Sequence, residues 1–488
     1  MIAIKNQKTK TFDIFRQWTE SMTMHGFPNI FRTKHITFKI MWTIFFLSSN
    51  AFCFFIISRI LINFFKYDIV TTIKVVEKDS MPFPAVTVCN ANPFVTEESL
   101  NYVSSFLQIN NLTNFTHLNL DSSQNQNLSR LLYNFILVRY WAVLFSKANT
   151  KDLKEKLFVP FEKMFINCLY NLQSCNENDW QWYYDYYHGN CYRFNSGRNT
   201  KGEKTQIKFT NNAGAYNGLM LELFVGMPNS QKTLSTTKGA RIFIDEYKFN
   251  PRVERGYAIA PSYSTNLAIE KIVSKSMPRP YSDCVEDLDT IDSFDSEYYR
   301  KVLRSNLTYR QAECFDAFIA AESFKKCKCD EVGNSLVFEN NNPCDTLEEQ
   351  SCSFSVFLEL IESNFKSRIK SVCPLECESV RYKVVKSEDR YPSESYANDL
   401  LKMEKIKSLF SNRSNVTYEE LSSDILAVNV YFEYMEQTEI KQSASVTWDG
   451  LVGSIGGTLG LFLGISVLSF AEFIDLFFQI IFSKKSNK

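Results

Sequence analysis

Two stretches of this chain depart from the mixed polar pattern of the rest. From Ile40 to Ile62 the only charge is Arg59, and from Leu451 to Ala471 there are 21 residues without any. Each is long enough to cross the hydrocarbon of a bilayer, about 30 Å, as a helix rising about 1.5 Å per residue. Arg59 lies near the far end of the first, where its stem can carry the charge to the interface. In the second, Gly453 and Gly457 stand four apart, as do Gly456, Gly460 and Gly464, so small residues recur along one helical face. Such a face lets backbones approach closely. Glu472 and Asp475 follow at a spacing that puts both on one side of the helix. A carboxylate at membrane depth faces a partner or water rather than lipid. A glycine ladder followed by an acidic pair therefore reads as a helix lining a cation path. The plainer alternative is a dimerising helix whose carboxylates sit at the headgroups.

Between these stretches the pattern alternates between strand and helix periods. Tyr67 to Val76 is β-branched and reads as a strand leaving the membrane, and Phe83–Asn90 follows a proline-bounded turn as a second strand. Residues 96–165 are polar and Asn-rich with helical patches at Leu128–Phe145 and Lys151–Leu169, a solvated helical lobe. The aromatic cluster at Asp179–Cys191 (DWQWYYDYYHGNC) reads as a packed patch rather than a binding cage. Alternating segments TQIKF, GLMLELFV, ARIFIDE and LAIEKIV predict strands over 205–280, and residues 379–392 and 424–440 predict two more. The span 284–377 is cysteine-dense, with helical patterns at Gln311–Lys326 and Phe354–Ile369. Together these make one α+β body with helical lobes, its two ends returning to the membrane side by side.

Charge sets the orientation. Lys5, Lys8, Lys10, Arg16, Arg32, Lys34 and Lys39 precede the first apolar stretch, and Lys484, Lys485 and Lys488 follow the last. The positive-inside tendency places both ends in the cytosol and residues 63–447 outside. The first stretch is expected to be a retained signal anchor, because no small-residue cleavage site follows it. All thirteen cysteines but Cys53 fall in the outside portion, leaving an even number, as a disulfide framework requires. The N-x-S/T acceptors Asn111, Asn114, Asn127, Asn306, Asn412 and Asn415 fall there too. The expected order is a cytosolic tail (1–39), a first span (40–62), the extracellular portion (63–447), a second span (448–482) and a short cytosolic tail (483–488).

Several chemistries are disfavoured. The charges cancel, 54 basic against 54 acidic, so no nucleic-acid-binding surface is implied. Gly464-Ile465-Ser466 lacks the last glycine of a nucleophile elbow, and the glycine run has neither the lysine nor the spacing of a phosphate cradle. C-x-C at Cys327 and Cys329 favours disulfides over metal at an extracellular location. His117 and His188 are the only extracellular histidines, and neither lies in a catalytic or metal motif, so an ectoenzyme fits poorly. No cofactor and no metal are expected. A non-conducting two-pass surface receptor, with the glycine stripe serving only oligomer packing, stays open beside the channel reading.

Three short motifs in order resemble the degenerin, epithelial sodium channel and acid-sensing ion channel superfamily over nearly the whole chain. Gly464-Ile465-Ser466 is similar to its Gly-x-Ser selectivity motif. His25-Gly26 is similar to its gating His-Gly pair, and FPAVTVCN (Phe83–Asn90) to the strand after its first span. The resemblance implies a membrane-protein fold of two transmembrane helices and a large disulfide-rich α+β extracellular domain. That domain would be a palm sheet with a helical finger at about 96–170 and a helical thumb at about 284–377. It further implies a homo- or heterotrimeric channel whose second spans line the pore. Gly464, Ile465 and Ser466 would form the filter, breaking the helix and presenting backbone groups that replace part of the ion's hydration shell, and Glu472 and Asp475 would supply negative potential below it. Gly453 would hold the degenerin position and Gly460 the blocker position, while Tyr67 and Tyr281 would couple thumb to membrane helix. The implied disulfides are Cys89–Cys191, Cys168–Cys175, Cys284–Cys377, Cys314–Cys373, Cys327–Cys352 and Cys329–Cys344. The seventh bridge of acid-sensing members would fall at Phe318 and Ser371, and both partners are absent together.

The stimulus is where the chain departs from those members. Asp68-Ile69 stand where proton-gated relatives carry histidines, and Ser353–Leu358 stand where they place an acidic pair. With four histidines in all, the side chain poised near physiological pH is scarce. The cysteine set and compact tails look more like those of invertebrate, cnidarian-type neuropeptide-gated sodium channel subunits. The expectation is a plasma-membrane, amiloride-sensitive channel subunit opened by an extracellular peptide and passing Na+, with Ca2+ a further candidate. Proton-gated, mechanically gated or constitutive channels of the same family are the alternatives.

Overall fold

The computed structural model describes residues 15–92, 95–96, 98–99, 101, 157–185, 188–226, 237–249, 251, 255–304, 308–329, 344, 347–362, 365–410 and 415–485. The chain divides into two compact units. The first draws on Met1–Thr71, Arg279–Ser282 and Gln442–Lys488, the second on Thr72–Pro278 and Asp283–Lys441.

The first unit begins with an arm that includes α1 (Phe27–Arg32), a short helix opened by Gly26 in a left-handed conformation with Pro28 in its first turn. It leads into α2 (Ile36–Phe64), 29 residues long. At 1.5 Å per residue that is about 43 Å, more than a bilayer core needs, so the helix outruns the expected 40–62 at both ends. Most of its large side chains are exposed, Phe54 at 75%. An apolar helix uncovered by its own chain has lipid or other subunits as its solvent.

Beyond it the chain enters the second unit. In order come β1 (Ile69–Glu77), β2 (Met81–Pro82), β3 (Ala85–Asn90), the single turn α3 (Phe161–Met164), β4 (Phe165–Tyr170), β5 (Gln173–Ser174), β6 (Trp180–Asp185) and β7 (Gly189–Phe194). Next are β8 (Phe209–Thr210), β9 (Leu219–Phe224), β10 (Ala240–Asp245), β11 (Tyr257–Ile259), β12 (Tyr263–Lys275) and β13 (Cys284–Val285). The cysteine-dense lobe holds α4 (Glu297–Arg304), α5 (Gln311–Cys327), α6 (Leu347–Glu362) and α7 (Phe365–Val372), followed by β14 (Leu375–Glu376). Then β15 (Glu378–Arg390), α8 (Glu394–Leu400), α9 (Glu404–Leu409), α10 (Tyr418–Asp424) and β16 (Ile425–Ala444) lead back to the first unit through α11 (Trp448–Leu463) and α12 (Val467–Lys485).

A seven-stranded sheet in the order β15-β12-β16-β9-β4-β5, with β1 also on β16, lies in one body with a five-stranded sheet ordered β11-β10-β3-β7-β6. Their shared core follows the period of two. In β9 the leucines 219, 221 and 223 are buried while the residues between are half-covered. β3 is buried at every position because it is central in its sheet, between β10 and β7. Trp180 of the aromatic cluster is sealed in the same core with Phe194 and Phe83, and Trp182 packs against it half-buried, so the described part of the cluster packs as paired strands rather than standing open. α4 to α7 enclose a separate core of Tyr299, Val302, Phe318, Val356, Leu360 and Ile369.

Three local expectations are corrected. The helix expected through Leu169 ends before Phe165, and Phe165–Tyr170 is a strand pairing antiparallel with β9. Its buried Phe165, Ile166 and Cys168 are claimed by the sheet, so tertiary pairing overrode a helical pattern. TQIKF gives only the two-residue bridge at Phe209–Thr210. Phe354–Ile369 is two helices, α6 and α7, rather than one. The other helical patch, Leu128–Phe145, and most of the finger lie outside the described residues.

Candidate functional site

The apolar stretch of the second span is not one helix. α11 ends at Leu463, α12 begins at Val467, and their axes meet at 68°. The break is local chemistry. Gly464 sits at φ 65°, a left-handed conformation that glycine enters without a Cβ penalty. The turn lets Gly464 N–H reach the Gly460 carbonyl at 3.0 Å and Ile465 N–H the Leu459 carbonyl at 3.3 Å.

A helix broken at membrane depth must find new partners for its freed backbone groups. In an unbroken ladder Ser466 N–H would go to Phe462 and Val467 N–H to Leu463. Here Phe462 O accepts from the Ser49 hydroxyl of α2 at 2.7 Å, and Leu463 O accepts from the His25 backbone N–H at 2.8 Å. Ser466 N–H donates to the Ser469 hydroxyl at 3.1 Å. His25-Gly26 and Gly464-Ile465-Ser466, some 440 residues apart in sequence, are thus brought into direct contact. The His25 ring fills the place a side chain at 464 would take, since a Cβ there would lie 2.5 Å from His25 Cγ. Gly26 in turn sits against Trp42 of α2, and Phe27 packs on Phe46 with ring centroids 5.5 Å apart.

The arm continues down α12. Trp18 Nε1 donates to the Glu472 carbonyl at 2.9 Å, and its ring meets Phe473 edge-on at 5.2 Å. Thr23 N–H donates to Glu472 Oε2 at 3.1 Å, and Thr23 Oγ1 lies 3.1 Å from Ser469 Oγ. Of the expected acidic pair, Glu472 is therefore engaged by the arm. Asp475 is exposed and accepts from Gln479 one turn on at 2.7 Å.

On α11, a Cβ added at Gly453, Gly456 or Gly457 would meet nothing within 4 Å, and one at Gly460 would touch only Ile465 O at 3.9 Å. The glycine face is uncovered by this chain, and Val452, Leu461, Val467 and Leu468 are exposed as well. Thr447 caps α11 through Gly450 N–H, and Asp449 stands in its first turn where the helix dipole favours an acid. At the other end of α2, Tyr67 and Tyr281 meet edge-to-face with centroids 5.5 Å apart, and Phe64 packs on Trp448 at 5.2 Å.

In the second unit the structure forms six disulfides, Cys89–Cys191, Cys168–Cys175, Cys284–Cys377, Cys314–Cys373, Cys327–Cys352 and Cys329–Cys344. Phe318 is buried against Tyr298, so an aromatic side chain fills the core where the family resemblance would put a bridge. Asn415 is exposed; Asn111, Asn114, Asn127, Asn306 and Asn412 lie outside the described residues.

A second polar cluster joins β10 to the start of α5. Arg310 Nη1 lies 3.4 Å from Asp245 Oδ1, with Arg310 buried and Asp245 largely covered, and its guanidinium stacks 3.5 Å over Phe249. Arg193 donates to the Phe249 carbonyl at 2.7 Å. Burial pushes the Asp245 carboxyl up despite Arg310, and pushes Arg310 and Arg193 down. A buried pair of this kind is costly to break from one side.

Sequence reasoning missed Ser49 and Ser469, which bond backbone groups at the break, and Trp18 and Thr23, which hold the arm along α12. One signal was available: Ser466 and Ser469 stand three apart before an apolar run, the spacing of a helix start.

Comparison with known proteins gives a consistent result. The family model described as "Amiloride-sensitive sodium channel" matches residues 18–476. Acid-sensing ion channel 1C of Danio rerio is 25% identical over 99% of this chain and 86% of its own length. Acid-sensing ion channel 1 of Gallus gallus is 25% identical over 95% and 83%. Acid-sensing ion channel 2 of Homo sapiens is 25% identical over 96% and 86%. Among solved structures, a proton-activated chloride channel aligns over 92% of this chain and 97% of its own with a TM-score of 0.31 and 6% identity, a likeness that carries no argument.

Proposed function

Because the chain belongs to the amiloride-sensitive sodium channel family, a family of ion channels and not of enzymes, we propose that it is a subunit of a sodium-permeable, amiloride-sensitive channel of the plasma membrane opened by an extracellular peptide. Three copies, identical or related, surround the conduction axis, with both termini in the cytosol. The single observation that carries this reading is the break at Gly464–Ser466. Non-helical backbone at membrane depth persists only where it is buried in protein or lines water, and Ser466, Val467 and Leu468 are uncovered by their own chain.

On this reading the open glycine face of α11 looks toward the axis. Gly453 and Gly460 line the path, and Gly460 is the place where an amiloride-type blocker acts. Gly464, Ile465 and Ser466 offer backbone and hydroxyl oxygens to a partly dehydrated Na+. Asp475, and the oxygen of Glu472 not held by Thr23, add negative potential that favours cations. The edge-to-face contact of Tyr67 with Tyr281 couples the outer portion to α2, since Tyr281 lies three residues before Cys284 of the disulfide-stapled lobe.

Recording from cells expressing the chain, challenged with a panel of amidated peptides and then with acid, tests the reading. The expected outcome is an amiloride-blocked sodium current to a peptide and none to acid. Acid opening is the second reading, favoured by the names of the relatives, and a robust current on acidification alone would replace the peptide claim with it. Gly453→Val should raise resting current; a variant at the surface with no such rise removes Gly453 from the path. Cysteines placed at 460–466 should react with water-borne thiol reagents, and inert positions throughout would leave a non-conducting receptor.

A further inference from the structure

Ser469 is among the most buried polar residues, 1% exposed, and no motif assigns it a role. Its hydroxyl meets Ser466 N–H at 3.1 Å, Ser466 Oγ at 3.4 Å and Thr23 Oγ1 at 3.1 Å. A hydroxyl has one donor and two acceptor sites. The Ser466 amide takes one acceptor site, and the two side-chain oxygens share the donor and the other acceptor, so the group is saturated. Thr23 is held in its turn, its N–H on Glu472 Oε2 at 3.1 Å.

We infer that Ser469 is a positioning residue that fixes the ion preference of the 464–466 segment by holding the Ser466 backbone, and that Thr23 of the arm completes its site. The inference rests on the conduction reading above and deepens it. The reason is the lost ladder. With Phe462 O committed to Ser49, the Ser466 amide has the Ser469 hydroxyl as its acceptor, and this bond sets the orientation of the peptide plane joining Ile465 to Ser466. The oxygen of that plane belongs to Ile465, a residue of the filter. Ser469 is buried while Ser466 and Thr23 are exposed in this chain; a network whose donor and acceptor sites are all filled at its buried member loses its hold when that member is removed.

The test uses the full chain carrying Gly453→Val to keep current on, with external sodium exchanged for potassium. Ser469→Ala should lower the sodium-to-potassium permeability ratio about three- to ten-fold, the factor one net hydrogen bond is worth, while current persists. Ser469→Thr keeps the hydroxyl and should restore the parent ratio, and Thr23→Val should shift it part of the way. A purely structural role would reduce surface amount or current size and leave the ratio alone. A Ser469→Ala ratio equal to the parent's overturns the inference. A second measurement is independent of conduction. In the full chain, thiols introduced together by Thr23→Cys and Ser469→Cys should cross-link under mild oxidation, read by mass spectrometry of the joined peptides. Failure to join removes the network. A joined pair, together with a Gly453→Val chain of otherwise parent sequence that reaches the surface and passes no current, would instead sink the conduction reading beneath it.

Discussion

Gly464 shows how much one residue decides. Its φ of 65° is one that a side chain enters at about 1–2 kcal/mol, and a Cβ would also strike the His25 ring. Gly464→Ala should therefore do more than strain the turn. It should push the arm off the break, lowering sodium selectivity and weakening the hold of residues 18–26, read as a shift in reversal potential and faster proteolysis of the arm. Unchanged selectivity and protection would show that the contact has no weight. The sequence offered the glycine and the histidine as separate motifs; that one fills the space left by the other is visible only in three dimensions. A residue of the second unit gives a prediction in pH. The Thr438 hydroxyl, and then Lys383, hold the Glu270 carboxyl below its ordinary 4.5. A lowered carboxyl contributes stability that is present above its unfolded pKa and is lost as pH falls through its folded value. Thr438→Val should thus lower the thermal midpoint at neutral pH, and the gap from the parent should close as pH drops from about 7 toward 3. A gap constant with pH would mean that the hydroxyl acts by packing alone.

At the scale of elements, the disulfides and the lobe they staple separate what periodicity can say from what it cannot. Cys314–Cys373 ties α5 to the end of α7 across 59 residues, whereas Cys168–Cys175 closes 7. If chain entropy governs, losing the longer closure costs about 2 kcal/mol more than losing the shorter. Cys314→Ser with Cys373→Ser should lower the thermal midpoint of the purified protein well beyond Cys168→Ser with Cys175→Ser; equal losses would point to strain or packing instead. Spacing alone left the pairing open, and the resemblance supplied the partners that the structure forms. Helical patterns marked α5 correctly because its buried Cys314, Ala317, Phe318 and Ala320 recur at three and four residues. The same rule failed at Phe165–Tyr170, where pairing with β9 offered burial that a local pattern does not record. The second span was legible as an apolar length, and its glycines as a face. The resemblance implied that the helix would break at Gly464–Ser466, and it does; the 68° angle and the donors that complete the break were not legible, because Ser49 and His25 are remote in sequence.

For the whole molecule, the proposed membrane topology rests on how charge, sequons and cysteines are distributed. Glycan should be found at Asn415, so Asn415→Gln should reduce the glycosidase-sensitive mass of the full chain, and a tag at either terminus should be reached by antibody only after permeabilisation. A tag exposed on intact cells would reverse the orientation. At this level the sequence carries the expectation by itself, because bilayer thickness, the redox difference between compartments and the asymmetry of flanking lysines act on composition rather than on contacts. By itself the sequence determined two apolar lengths, a portion between them rich in cysteines of even number, and the motifs that resemble the family. Only the tertiary structure decided which groups complete the broken helix: Ser49 on Phe462 O, His25 on Leu463 O, Ser469 on Ser466 N–H, and Thr23 on Glu472. The reason is physical. Burial and charge sum over residues and can be read from a string, but a hydrogen bond needs its two atoms within about 3 Å, and that proximity is fixed only when the chain has folded back on itself.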